Sequence, residues 1–111
     1  MTQKFPFKAA LIIGLWAHLL AGAALREVVV SHTDDQGVLQ LYRMKEDGTG
    51  SRQLTFSKTG CRMPSCSLDG KKLVYVEQVG HALALRLADL NGGKARTLVG
   101  EGMNMLPSWL P

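Results

Sequence analysis

The chain has 111 residues, 46% of them hydrophobic and 20% charged, which allows at most one small domain. Its formal net charge is +4; without Lys4 and Lys8, in the N-terminal segment, 11 basic face 9 acidic residues. That surplus is too mild for a nucleic-acid or anionic-membrane footprint, and 6% aromatic content supplies no stacking platform for single strands.

Residues 1–8 are short and basic, and residues 9–25 form an apolar run broken only by His18 and ended by Arg26-Glu27. Ala21-Gly22-Ala23 supplies the small-x-small pattern that the shallow pockets of a signal peptidase accept. Residues 1–23 are therefore expected to be a signal peptide, with an uncleaved membrane anchor as the alternative, since 17 apolar residues sit at the short end of a spanning helix. Only that anchor would give the chain a membrane contact. Lipid attachment is not expected, because Ala23 stands where the modified Cys would follow Leu19-Leu20-Ala21-Gly22. The expected location is outside the cytoplasm, in the periplasm or the medium.

After Arg26 the sequence repeats itself. Val28-Val29-Val30-Ser31 answers to Leu73-Val74-Tyr75-Val76, and the segment from Leu39 to Met44 answers to that from Leu83 to Ala88. Glu46-Asp47-Gly48 answers to Leu90-Asn91-Gly92, Arg52-Gln53-Leu54-Thr55 to Arg96-Thr97-Leu98-Val99, and Met63-Pro64-Ser65-Cys66 to Leu106-Pro107-Ser108-Trp109. The offset stays between 43 and 45 through all five anchor points. Self-similarity at this period is the mark of a repeat architecture.

Each unit reads as short strands parted by turns. The β-branched run at Val28, Val29 and Val30 suits a strand, and Leu39, Leu41 and Arg43 alternate with Gln40, Tyr42 and Met44 at the period of a sheet. Asp47-Gly48, Asp69-Gly70 and Asn91-Gly92 are dipeptides that tolerate positive φ in tight hairpins. Helical periodicity is not sustained through this density of Gly and Pro, so the expected class is all-β.

The segment from Pro64 to Tyr75 resembles the TolB-type (WD40-like) β-propeller repeat, whose signature is Pro-x-Trp-Ser-Pro-Asp-Gly followed by a hydrophobic strand. Pro64, Ser67, Asp69 and Gly70 match it, as do Pro107 and Trp109 in the later copy. Leu41-Tyr42, Asp47-Gly48 and Arg52-Gln53-Leu54-Thr55 are similar to the rest of that family's unit, and the resemblance covers residues 27–111. Cys66 replaces the signature Trp, Leu68 replaces the signature Pro, and the later copy has Leu110 in place of Ser and ends at Pro111, inside the motif.

The resemblance implies antiparallel four-stranded blades, with the signature forming the innermost strand and the turn into the second. Residues 28–33 would then be the second strand of a blade without its first, residues 63–99 one complete blade, and residues 106–110 the first strand of another. The inventory is eight strands, or two blades' worth. Two blades cannot close a ring. Three outcomes are open: a fragment of a longer propeller, three chains joined as a six-bladed ring by strand exchange, or docking onto another exported protein.

Candidate chemistry is sparse. Cys61 and Cys66, both beyond the export signal, are candidates for a disulfide; alternatively Cys66 fills the buried place of the signature Trp and Cys61 stays free. His32 and His81 are read as solvated residues near hairpin loops, because even beside Asp34 and Asp35 they lack metal-ligand spacing. Met103 and Met105 are read as packing residues. Ser51 lies in Gly48-Thr49-Gly50-Ser51-Arg52, which is neither a nucleophile elbow nor a phosphate loop, and Asp69 is read as a turn cap. No catalytic, cofactor or metal residue is assigned, and the chain is not expected to be an enzyme. The resemblance implies a periplasmic docking platform for proteins; the rival reading is the propeller lid of an exported hydrolase of the prolyl oligopeptidase or dipeptidyl peptidase kind.

Overall fold

The computed structural model describes residues 24–91 and 93–110, so the expected signal peptide, residues 1–23, lies outside the described residues. Seven strands follow one another: β1 (Glu27–Thr33), β2 (Leu39–Lys45), β3 (Arg52–Gln53), β4 (Cys61–Cys66), β5 (Lys72–Val79), β6 (Ala82–Asp89) and β7 (Arg96–Val99). They form two antiparallel meanders, a three-stranded sheet in the order β1-β2-β3 and a four-stranded one in the order β4-β5-β6-β7. These are propeller blades: β4–β7 make a complete one, and β1–β3 make the second to fourth strands of its predecessor. The expected eighth strand, residues 106–110, joins neither sheet.

The turns explain why the strands stop where they do. Between β4 and β5, Asp69 Oδ1 accepts bonds from Ser67 Oγ (2.6 Å) and the Lys71 amide (3.0 Å), while Ser67 Oγ accepts the Lys72 amide at 2.9 Å. Gly70 takes φ 72°, a left-handed conformation that L side chains adopt at a cost. The signature Ser-x-Asp-Gly is thus a turn that satisfies its own backbone. Between β2 and β3, Asp47 Oδ1 accepts the Thr49 amide at 3.0 Å, and 44 residues on Asn91 Oδ1 accepts the Gly93 amide at 3.1 Å.

The two sheets stack through Leu41 and Leu54 of the first and Cys61, Leu73, Tyr75 and Ala88 of the second. β4 rests against both β1 and β2. Burying these side chains is the main force joining the blades, as the strand-ladder hydrogen bonds run within each sheet and Arg52 Nη2 bonds across to the Asn91 carbonyl.

Four expectations are corrected. Cys61 and Cys66 are both free: they lie at opposite ends of β4, opposite Glu77 and Leu73. Five residues of strand separate them by roughly 15 Å, about twice what a disulfide spans. The buried thiol is Cys61, 1% exposed, and Cys66 is exposed. A one-residue bulge between Arg62 and Ser65 places both thiols opposite β5 residues of the same face, Glu77 and Leu73, so their burial differs by position along β4 and not by face. His32 lies inside β1 opposite Gln40, half-buried, with its ring edge-on to Tyr42 at 6.2 Å. Met103 and Met105 are exposed.

Candidate interaction surface

Two regions of the blade pair carry side chains arranged for more than packing. The first is the rim at the β1–β2 loop. Asp34 Oδ1 accepts the amides of Gln36 (2.9 Å) and Val38 (3.0 Å), which holds the loop in a tight turn. These bonds, that from Val38 foremost, hold the Asp34 carboxyl below its ordinary pKa. Behind it Gln40, 1% exposed, donates from Nε2 to Asp34 Oδ2 (3.2 Å) and the Ser57 carbonyl (2.6 Å). Its Oε1 accepts Thr55 Oγ1 (2.8 Å) and the Ser57 amide (3.0 Å). All four bonding positions of the amide are used, and Thr55 Oγ1 in turn accepts the Leu41 amide at 2.9 Å. This network fixes the segment after β3 against the loop after β1. Between them runs an open groove of about 350 Å³, with Asp35, Lys58 and the exposed ring of Phe56 on its walls. His81 occupies the β5–β6 turn beside Gly80, exposed.

The sequence reading missed Gln40. Alternation marks it as outward-facing and polar, but β2 is a central strand buried on both faces. Its usable signal is the partner set, Asp34, Thr55 and Ser57, none of which has a counterpart of like chemistry in the second unit.

The second region is the inner edge. After β7 the chain crosses back: the Leu83 amide donates to the Gly102 carbonyl (2.9 Å), and Asn104 returns bonds from N (3.1 Å) and Nδ2 (2.8 Å) to the Leu83 carbonyl. Residues 106–110 then lie beside β4. Leu106 has φ 54°, and Met63, its counterpart 43 residues earlier, has φ 54° as well. Each precedes a proline, Pro64 or Pro107, so the strained left-handed residue belongs to the repeat itself. Trp109 Nε1 donates to the Ser65 carbonyl at 2.9 Å, and the Leu106 amide points at Met63 Sδ, 3.4 Å away. Leu106 and Leu110 are 78% and 89% exposed.

Between the blades lies a cleft of about 250 Å³ lined by Thr55, Cys61, Tyr75, Glu77 and Arg86. Arg86 Nη1 donates to Thr97 Oγ1 at 2.5 Å and its Nε faces Glu77 Oε1 at 3.4 Å. Burial pushes the Cys61 thiol up, which keeps it protonated and poorly nucleophilic at neutral pH. Ser51 lies on the loop before β3, and Asp69 caps its turn.

No family model matches the chain, and no curated protein matches it. Among solved structures it is similar to one described as "putative TolB from Agrobacterium tumefaciens", with 26% identity and a TM-score of 0.58 over 66% of this chain. The match covers 29% of that protein, so the chain spans less than a third of its length. The likeness lies in the blades: this is an all-β chain of antiparallel propeller blades with a TolB-like fold.

Proposed function

We propose that this chain is an exported, non-catalytic scaffold whose blade rim binds another protein. The observation that carries the reading is the rim groove at Asp34, Asp35, Phe56 and Lys58, a loop surface held rigid by a saturated buried network. Rigid loops on a sheet scaffold lose little entropy on binding, and an exposed aromatic beside charges of both signs is a typical anchor for a protein partner. The likeness to a protein described as TolB supports the same reading. The basic segment and apolar run of residues 1–25 support export.

The test has two parts. Fractionation of producing cells should find the full-length gene product outside the cytoplasm, and retention inside would end the export reading. A photo-reactive side chain at Phe56, introduced in the same cells, should capture one defined protein other than this chain. The same probe at Lys71, on the β4–β5 turn, should not. Equal labelling from both positions, or none from Phe56, would overturn the rim as a binding site.

A further inference from the structure

We propose that the groove between the two sheets, at the end that carries the β2–β3, β4–β5 and β6–β7 turns, binds a terminal phosphate group. The inference goes beyond the rim reading above and does not rest on it.

The groove lies at the opposite end of the sheets from Asp34, and both of its walls are strands and turns already described. Its volume is about 390 Å³, and it is lined by Arg43 from β2, by Lys71 and Lys72 where β5 begins, and by Asp89 and Asn91 where β6 ends. Arg52, at the start of β3, reaches across to it: Nη2 donates to the Asn91 carbonyl at 2.5 Å. Arg43, Arg52, Lys71 and Lys72 thus border one opening, two from each sheet.

Their charge is half met. Glu27 accepts from Arg43 Nε (3.2 Å) and Nη2 (2.6 Å), and Asp89 accepts from Lys72 Nζ at 2.7 Å. Among the described residues no carboxylate forms an ion pair with Arg52 or Lys71. The neighbouring acid, Asp69, turns its Oδ1 back onto the Ser67 hydroxyl and the Lys71 amide. Two cations are left over, which matches the charge of about −1.5 to −2 on a terminal phosphate near neutral pH.

The geometry adds a reason for an anion. Arg43 and Arg52 lie directly opposite each other on β2 and β3, where like charges repel. Glu27 and Asn91 leave Arg43 Nη1 and Arg52 Nε and Nη1 without a bond among the described residues. Guanidinium donors fit the oxygens of a phosphate, so an oxyanion seated there turns the repulsion into charge-assisted bonds. Lys71, exposed on the other wall, reaches the same anion as a point charge. Glu27 and Asp89 flank the groove and would oppose a flat anionic surface, whereas a small ion enters between them. Held from both sheets, it stabilises their pairing by mass action.

The experiment uses the full-length chain and inorganic phosphate as the probe. Equilibrium dialysis at constant ionic strength should show saturable uptake of a single phosphate per chain, and phosphate should raise the urea midpoint above that in matched chloride. Lys71→Gln and Arg52→Gln should each weaken uptake by about tenfold or more. Arg96→Gln removes the same charge from the face of the second sheet turned away from the first, where Arg96 lies opposite Leu87, and should leave uptake unchanged. Glycerol phosphate should compete with inorganic phosphate. Glycerophosphoglycerol, the singly charged diester of a lipid headgroup, should compete about tenfold more weakly or worse. Uptake that does not saturate, uptake unchanged in Lys71→Gln, an equal loss in Arg96→Gln, or equal competition by the diester would overturn the proposal. Lys71 makes no side-chain bond among the described residues, so its variant tests binding without disturbing the fold.

Discussion

The indole Nε1 of Trp109 donates to the backbone carbonyl of Ser65, 2.9 Å away and 44 residues back in the chain. One repeat thus reaches the matching place in the previous one, side chain to main chain, at the inner edge of the complete blade. Replacing Trp109 with Phe keeps most of the packing and removes the donor. It should lower stability by about 1 kcal/mol, read as a shift in the urea midpoint at unchanged slope.

Gln40 is the more costly position. Gln40→Leu keeps the volume and strands Thr55 Oγ1, the Ser57 amide and the Ser57 carbonyl, all of which it now bonds. The expected loss is about 2–3 kcal/mol. Thermal unfolding measures it, and Gln78→Leu, at an exposed site on β5, should differ little from the parent.

Gly70 has φ 72°, with nothing within 4 Å of the place a Cβ would take. Space is available there, so the penalty for Gly70→Ala is conformational alone, about 1 kcal/mol. Gly70→Asn should cost less, because Asn tolerates the left-handed region. A denaturation series with both variants separates backbone strain from steric clash.

Acid should loosen the turns. The Ser67 hydroxyl and the Lys71 amide hold the Asp69 carboxyl below its ordinary pKa, and the Thr49 hydroxyl and amide do the same for Asp47. A carboxylate lowered on folding stabilises the native state above its unfolded pKa, about 4. That contribution is lost as pH falls from there through the lower folded value. Urea midpoints should therefore fall below pH ~4, and Asp69→Asn should flatten the fall.

The thiols should behave as two populations. Cys66 is exposed and Cys61 is sealed between the blades. A thiol reagent should modify one residue per native chain and two in denaturant. Mass spectrometry should show the same intact mass with and without reductant.

What the sequence made legible was local or periodic. The Asp47-Gly48, Asp69-Gly70 and Asn91-Gly92 turns declare themselves because their bonds lie within a few residues. The blade boundary is legible because Met63-Pro64 and Leu106-Pro107 recur at the repeat offset. Three features escaped for a shared reason, that each depends on which way a strand faces. The bulge at Met63 and Pro64 shifts the facing of β4 by one residue, and no residue count reveals it. Gln40 is buried because its strand is covered on both sides. His32 extends β1 beyond the point where composition suggests a loop, because Gln40 pairs opposite it.

The offset between sequence unit and sheet has a consequence for how such a chain lengthens. A stretch cut at the repeat boundary carries three strands of one sheet and the inner strand of the next, so no single unit is a finished sheet. Each added copy would bring its own latch for the following copy and would accept the latch already waiting. Growth by whole units would therefore preserve the joints already made, and a break at any other point would leave one latch without its socket.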